Sequence, residues 1–273
     1  MRSLFSLRPY HTRAAVLGLS AVAVASCTKL TESDLTANKF GAVNILAKHT
    51  GGTSARASGT VILFEAFSAA LPNSLIQQSD QCVFSQVDTS TAAIRGVNQA
   101  GEAVTFSVGG RAVTLPYESS NQRYATPPAT PFTYAAGEQV QATIPGNPST
   151  FPASSITVRL AEPIFPGPVA IPTGTTPMTF TWNAAPDTTS AIVLSLRYAN
   201  PAQSSYANEQ IFCALRDDGT HQLPSSALTA FLASPNDKRL LQLTRWRTSQ
   251  VSVDSRSFLH VTTSIDTTIT FQP

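Results

Sequence analysis

The segment Ala103–Pro116, AVTFSVGGRAVTLP, decides how this chain is read. Val104, Phe106 and Val108 alternate with polar residues, which places all three on one face of a strand, because strand side chains point to opposite faces with a period of two. Gly109-Gly110 follows, and two glycines tolerate the positive φ angles that a tight two-residue hairpin turn requires. Val113 and Leu115 then continue the pattern on the return strand. The segment predicts a β-hairpin with one buried face.

The same pattern extends in both directions. Toward the N-terminus, 42–48, 60–67 and 81–87 are β-rich runs separated by Gly, Pro, Asn and Ser. Toward the C-terminus, 138–144 and 155–160 predict further strands, with Pro145, Gly146 and Pro148 turning between them. A Pro/Gly cluster, PIFPGPVAIPTGTTP at 163–177, reads as a linker, because proline cannot donate to a sheet ladder. Beyond it, 178–182 (MTFTW) keeps its apolar residues on one face, and 191–198 and 210–215 contain continuous apolar runs, as expected of strands covered on both sides. The segment 223–233 (LPSSALTAFLA) predicts a short helix with Ser225 or Ser226 as cap and an apolar stripe of Ala227, Leu228, Phe231 and Leu232. Strands over 240–247, 257–263 and 267–271 close the chain. This density of strands and turns predicts an all-β protein of two antiparallel β-sandwich, immunoglobulin-like modules, at 40–165 and 166–273, with one short helix in the second.

Composition narrows the function classes. Charged residues make up only 12% of the 273, while 30 Ser and 33 Thr outnumber them nearly two to one. An average soluble domain is roughly 25% charged, so coiled coils and acidic tails are excluded. The first residues account for the slight positive charge. Arg2, Arg8 and Arg13 precede an apolar run, AAVLGLSAVAVA at 14–25, which ends in the small residues Ala25 and Ser26. About a dozen apolar residues fall short of the roughly 20 needed to span a bilayer. Residues 1–26 therefore read as a removable export signal. Without its three arginines the remainder holds 15 basic residues against 16 acidic ones. No basic patch is left to recruit nucleic acid.

Val24-Ala25-Ser26-Cys27 resembles the lipobox of bacterial lipoproteins. The resemblance implies that the Cys27 thiol takes a diacylglycerol, that cleavage precedes it, and that residues 27–39 form a polar tether. Two or three acyl chains, at about 0.8 kcal/mol per buried methylene, make a stable membrane anchor where one would not. Thr28 in place of an Asp implies outer-membrane sorting in such proteins. The second half also resembles repeats of uncharacterised predicted bacterial lipoproteins, in Thr181-Trp182, the apolar strand 191–196, Cys213, Asp218-Gly219, Leu223-Pro224 through Leu228, and Arg245. The first half is similar to the same group at Ala136-Gly137-Glu138 and Thr150-Phe151-Pro152-Ala153. This resemblance implies a β-sandwich envelope lipoprotein and carries no assigned activity.

Reactive constellations are sparse. Cys82 and Cys213 can form a disulfide in an exported protein, or each can serve as a small buried hydrophobe in its apolar strand. His49, His221 and His260 stand alone in sequence, so no spacing predicts a metal site or a cofactor. Asp217-Asp218-Gly219 lacks the further ligands of a calcium loop and reads as a turn. Asp218, His221 and Ser225 share one short loop without a nucleophile elbow, so no catalytic residue is assigned. Arg245-Trp246-Arg247 is the candidate binding surface: on a strand the two arginines share one face and Trp246 takes the other. The alternative packs Trp246 in the core and sets the arginines against carboxylates at a module interface. Taken together, the expectation is a lipid-anchored envelope protein with a non-enzymatic role that binds an envelope protein or glycan. The alternative is an envelope hydrolase with a nonstandard active site.

Overall fold

In the computed structural model, the described residues are 39–64, 80–86, 98–173, 175–199, 209–229, 231–232 and 238–271. The export signal 1–26, the lipidation residue Cys27 and the tether as far as residue 38 lie outside them. Alternating apolar residues make strand the dominant element. The first half contributes β1 (Lys39–Gly51), β2 (Ser54–Phe64), β3 (Gln81–Gln86), β4 (Ala103–Val108), β5 (Arg111–Glu118), β6 (Arg123–Ala125), β7 (Phe132–Ala135), β8 (Gln139–Ile144) and β9 (Ser154–Arg159). The second half contributes β10 (Met178–Thr181), β11 (Ser190–Ala199), β12 (Glu209–Arg216), β13 (Thr220–Leu223), β14 (Lys238–Asp254) and β15 (Ser257–Phe271).

The central hairpin forms as the sequence predicts. Val108 pairs with Arg111 across Gly109 and Gly110, whose φ angles are 54° and 75°. Positive φ at both turn positions gives the backbone twist that matches the strands on either side. Val104, Phe106 and Val108 are buried while their neighbours are partly exposed. Phe106 lies against β2 at Gly59, where a Cβ would fall 2.2 Å from the Phe106 ring. A side chain there would collide with a buried aromatic ring in an interior that has no slack. Glycine at position 59 thus lets β4 and β2 face each other closely.

One path of strand pairing joins both halves of the chain, in the order β3-β12-β11-β14-β15-β1-β2-β6-β5-β4-β8-β9, with β7 paired to β2. A separate two-stranded sheet, β10-β13, covers part of the second half. Val43, Ile45 and Ala47 of β1 continue the buried face of Val261 and Ile265 on β15, and Leu243 of β14 belongs to the same apolar cluster. The core is therefore continuous across the two halves.

Several expectations need correction. Pairing is not antiparallel throughout: β1 runs parallel to β15 from Lys39↔Ser257 to Lys48↔Asp266. A hairpin turn cannot join parallel strands, so the joint is made by two segments far apart in sequence. The short helix is only a 3-10 turn over Ser225–Leu228, with Pro224 at its cap position and no side-chain cap bond. Proline has no side chain able to accept from the first free N–H groups, so the serines expected to cap the helix fall inside the turn. The two final strands are one, β15, which stays paired with β14 through residues 264–266, where Ile265 is buried. Three short strands, β6, β7 and β13, had no legible alternation because each has only three or four residues. The Pro/Gly stretch begins as a buried strap, with Ile164 2% exposed and Pro166 bridged to Trp182.

Candidate functional site

Alternation along β14 puts Leu241, Leu243, Arg245 and Arg247 on the core-facing side. Arg245 pairs in register with Ile192 of β11 and Ile265 of β15, and its side chain is fully buried. A guanidinium in such a place is tolerable only if its charge and its donors are satisfied. They are. Its Nε donates to Asp217 Oδ2 at 2.6 Å and its Nη2 to Asp217 Oδ1 at 3.1 Å, a two-pronged contact with a carboxylate that is itself 1% exposed. Nη1 donates to the carbonyls of Glu162 and Pro163 at 3.0 Å each, and Nη2 also reaches the Asn183 carbonyl. Asp217 further accepts from Trp182 Nε1 at 2.9 Å and Ser190 Oγ at 2.6 Å. The carboxylate from the β12–β13 turn thus gathers strands β10, β11 and β14 around one charge.

Arg247 extends the network. Its Nε and Nη2 donate to Glu162 at 2.8–3.0 Å, and its Nη1 donates to Asp187 Oδ1 at 2.8 Å and to Thr189 Oγ1. Arg159 completes the set, with Nε 2.8 Å from Glu162 and Nη1 3.1 Å from Asp187. Arginine suits this work because its planar fork can meet two acceptors at once. The hydrogen bonds from Arg247 hold the Asp187 carboxyl well below the usual aspartate range, against the opposing effect of burial, and bonds from Thr189 add to the effect. Such a carboxyl stabilises the fold above its unfolded-state pKa, and the contribution fades as pH falls. We therefore expect Asp187→Asn to be less stable than wild type at neutral pH, with the difference narrowing as pH falls below about 4. Denaturant unfolding from pH 7 to pH 3 checks this, and a difference that does not depend on pH would contradict it.

The candidate binding triplet follows the alternative reading in its arginines, which hold carboxylates. Arg245 and Arg247 turn inward to carboxylates, and Trp246 lies half-buried on the other face. Its indole Nε1 is buried and has no hydrogen-bond partner among the described residues. Cys82 and Cys213 are joined by a disulfide across the β3–β12 register, their Cα atoms 4.0 Å apart. His221 Nε2 lies 3.6 Å from Cys82 Sγ, and burial pushes the imidazole pKa down. Burial does the same at His260, and His49 sits edge-on to Phe165. Asp218 accepts from the Thr220 amide at 3.3 Å while Gly219 takes a φ of 96°, so this pair forms a turn.

The partners of the arginines escaped the sequence reading. Asp217 and Asp187 sit in turns, and Glu162 at the start of a proline-rich stretch, positions where carboxylates are ordinarily solvated. The available signal was Arg245 and Arg247 themselves, at i and i+2 on a strand where Leu241 and Leu243 precede them on the same face. Above the network, a shallow depression of about 240 Å³ is lined by Gly137, Arg159, Phe165, Asn183, Pro186 and Arg245, among others. The Phe165 ring at its edge is 43% exposed. No family model matches this chain, and no curated protein is similar to it.

Proposed function

We propose that this chain is a lipid-anchored cell-envelope protein with a non-enzymatic binding or structural role, carried by two β-sandwich modules. The reading rests on Val24-Ala25-Ser26-Cys27 at the end of the apolar run, a tetrapeptide that suits acylation of Cys27 and attachment to the outer membrane. The buried network agrees with it. The carboxylates Asp217 and Glu162, which would be the natural acids and bases of a hydrolytic site, are each bound to arginine. The depression bearing Phe165 and Arg159 is the place where an aromatic face and a cation could receive an envelope glycan or protein.

The anchor is tested by isolating the mature protein from membranes and weighing its N-terminal peptide. An N-terminus at Cys27 carrying diacylglycerol is expected, and Cys27→Ala should accumulate as a longer, unacylated precursor. Normal maturation of that variant, or an unmodified N-terminus elsewhere, would refute the anchor. Capture from detergent-solubilised envelopes, comparing wild type with Phe165→Ala, then tests the depression: the partner should be lost with the ring.

A further inference from the structure

We propose that Cys82, Cys213 and His221 form, once their disulfide is reduced, a three-ligand site for a thiophilic divalent ion of the zinc type. Cys82 and Cys213 face each other in antiparallel register, so both sulfurs emerge on the same face of the β3–β12 pair. His221 comes from the opposing two-stranded sheet: in β13, Thr220 and Gln222 are exposed, while His221 and Leu223 turn inward. The fold thus brings together three residues that are far apart or unpatterned in sequence. The two sulfurs and one imidazole nitrogen lie within 4.8 Å of one another.

The spacing suits a tetrahedral ion. Zn–S bonds of about 2.3 Å and Zn–N bonds of about 2.0–2.1 Å hold sulfur and nitrogen ligands about 3.5 Å apart. The separation of His221 Nε2 from Cys82 Sγ is 3.6 Å. The bonded sulfurs have to part on reduction, and rotation about the Cα–Cβ bonds of the two cysteines moves them apart. Cys82 is half-buried on β3, the terminal strand among the described residues, which gives the site access to water for a fourth ligand. The Asp80 and Asp218 carboxylates add negative potential at His221, tempered at Asp80 by its ion pair with Arg216.

The chemistry balances through thiol–disulfide exchange. Two equivalents of a small thiol, or one dithiol, reduce the Cys82–Cys213 bond and leave as their own disulfide, giving two protein thiols. Metal binding then displaces both thiol protons, and the neutral imidazole donates its lone pair. An oxidant reverses the sequence and releases the ion, so the site would hold metal only in its reduced state.

Cobalt(II) titrated anaerobically into the full mature protein, after reduction by a dithiol and its removal, tests the proposal. One equivalent should bind, with sulfur-to-cobalt charge-transfer absorption and the intense visible bands of tetrahedral cobalt, and zinc should displace it. The oxidised protein should show neither feature. His221→Gln should weaken binding by at least about tenfold and shift the visible bands, whereas Gln222→Ala, altering an outward-facing neighbour, should bind as wild type does. Absence of thiolate bands in the reduced wild type, whether or not β3 stays in place, overturns the proposal. So does His221→Gln with unchanged affinity and spectrum. Should that variant fail to fold, the ring resonances of His221 in the reduced wild type decide: they must move when zinc is added, and unmoved signals overturn the proposal.

Discussion

Asp217→Ala is expected to destabilise the protein by about 3–5 kcal/mol, the range for removing one partner of a buried ion pair. The cost arises less from the lost attraction than from what remains. Arg245 would keep its charge in a layer formed by Ile192, Leu243 and Ile265, with only backbone carbonyls to receive its donors. Trp182 Nε1 and Ser190 Oγ would lose their acceptor at the same time. An apolar replacement of the whole pair often recovers the stability of a buried salt bridge. Here it should not, because Arg245 also ties down the carbonyls of Glu162, Pro163 and Asn183. Arg245→Met should therefore cost a similar amount. The double variant should cost less than the sum of the two, since both remove the same contact. Denaturant midpoints of the three variants measure this, and a loss under about 1 kcal/mol for Asp217→Ala would show that the cluster is not a structural tie.

Replacing both cysteines of the Cys82–Cys213 bond with alanine should lower stability by as much as about 5 kcal/mol, on a chain-entropy account of disulfides. The two are 131 residues apart in sequence, so the bond removes a very large loop from the unfolded ensemble. A second consequence is local. Among the described residues, β3 is the terminal strand of its sheet and is paired only to β12. Without the cross-link, the 81–86 amides should exchange with solvent well before those of β11 and β14, because an edge strand held on one side opens at low cost. Hydrogen exchange resolved by segment, alongside denaturant unfolding, separates the two effects. An unchanged midpoint together with unchanged protection of β3 would mean that the bond contributes nothing to either.

Both predictions concern contacts between residues remote in sequence, and these were the least legible. Strand positions were readable where apolar and polar residues alternate, as in β4, where Val104, Phe106 and Val108 are buried, whereas the first half of β2, with Ala55 and Ala57 buried, lay outside the expected 60–67. In the expected strand 191–198, residues 191–196 are all buried, Ser195 included, as its run of consecutive apolar residues implies. Tyr134 shows the limit. Its strand, β7, has four residues of which only two are buried, yet its hydroxyl donates to the Ala161 carbonyl at 2.7 Å and holds the buried strap. Burial there raises the phenol pKa well above the ordinary tyrosine value, in keeping with a group that serves as a donor.

Period-two alternation and the Gly109-Gly110 turn determined by themselves that this chain is β-rich and where its main hairpin lies, since both act between near neighbours, whose geometry the covalent chain already constrains. Tertiary structure alone decided that β1 lies parallel to β15, that β3 crosses to the second half, that Arg245 finds Asp217, and that His221 meets the cysteine pair. Each of these depends on closing a long loop, and the free energy of that closure comes from burying one shared core rather than from any local preference. A short motif cannot encode such a partner, because the partner's position exists only once the sheet has formed.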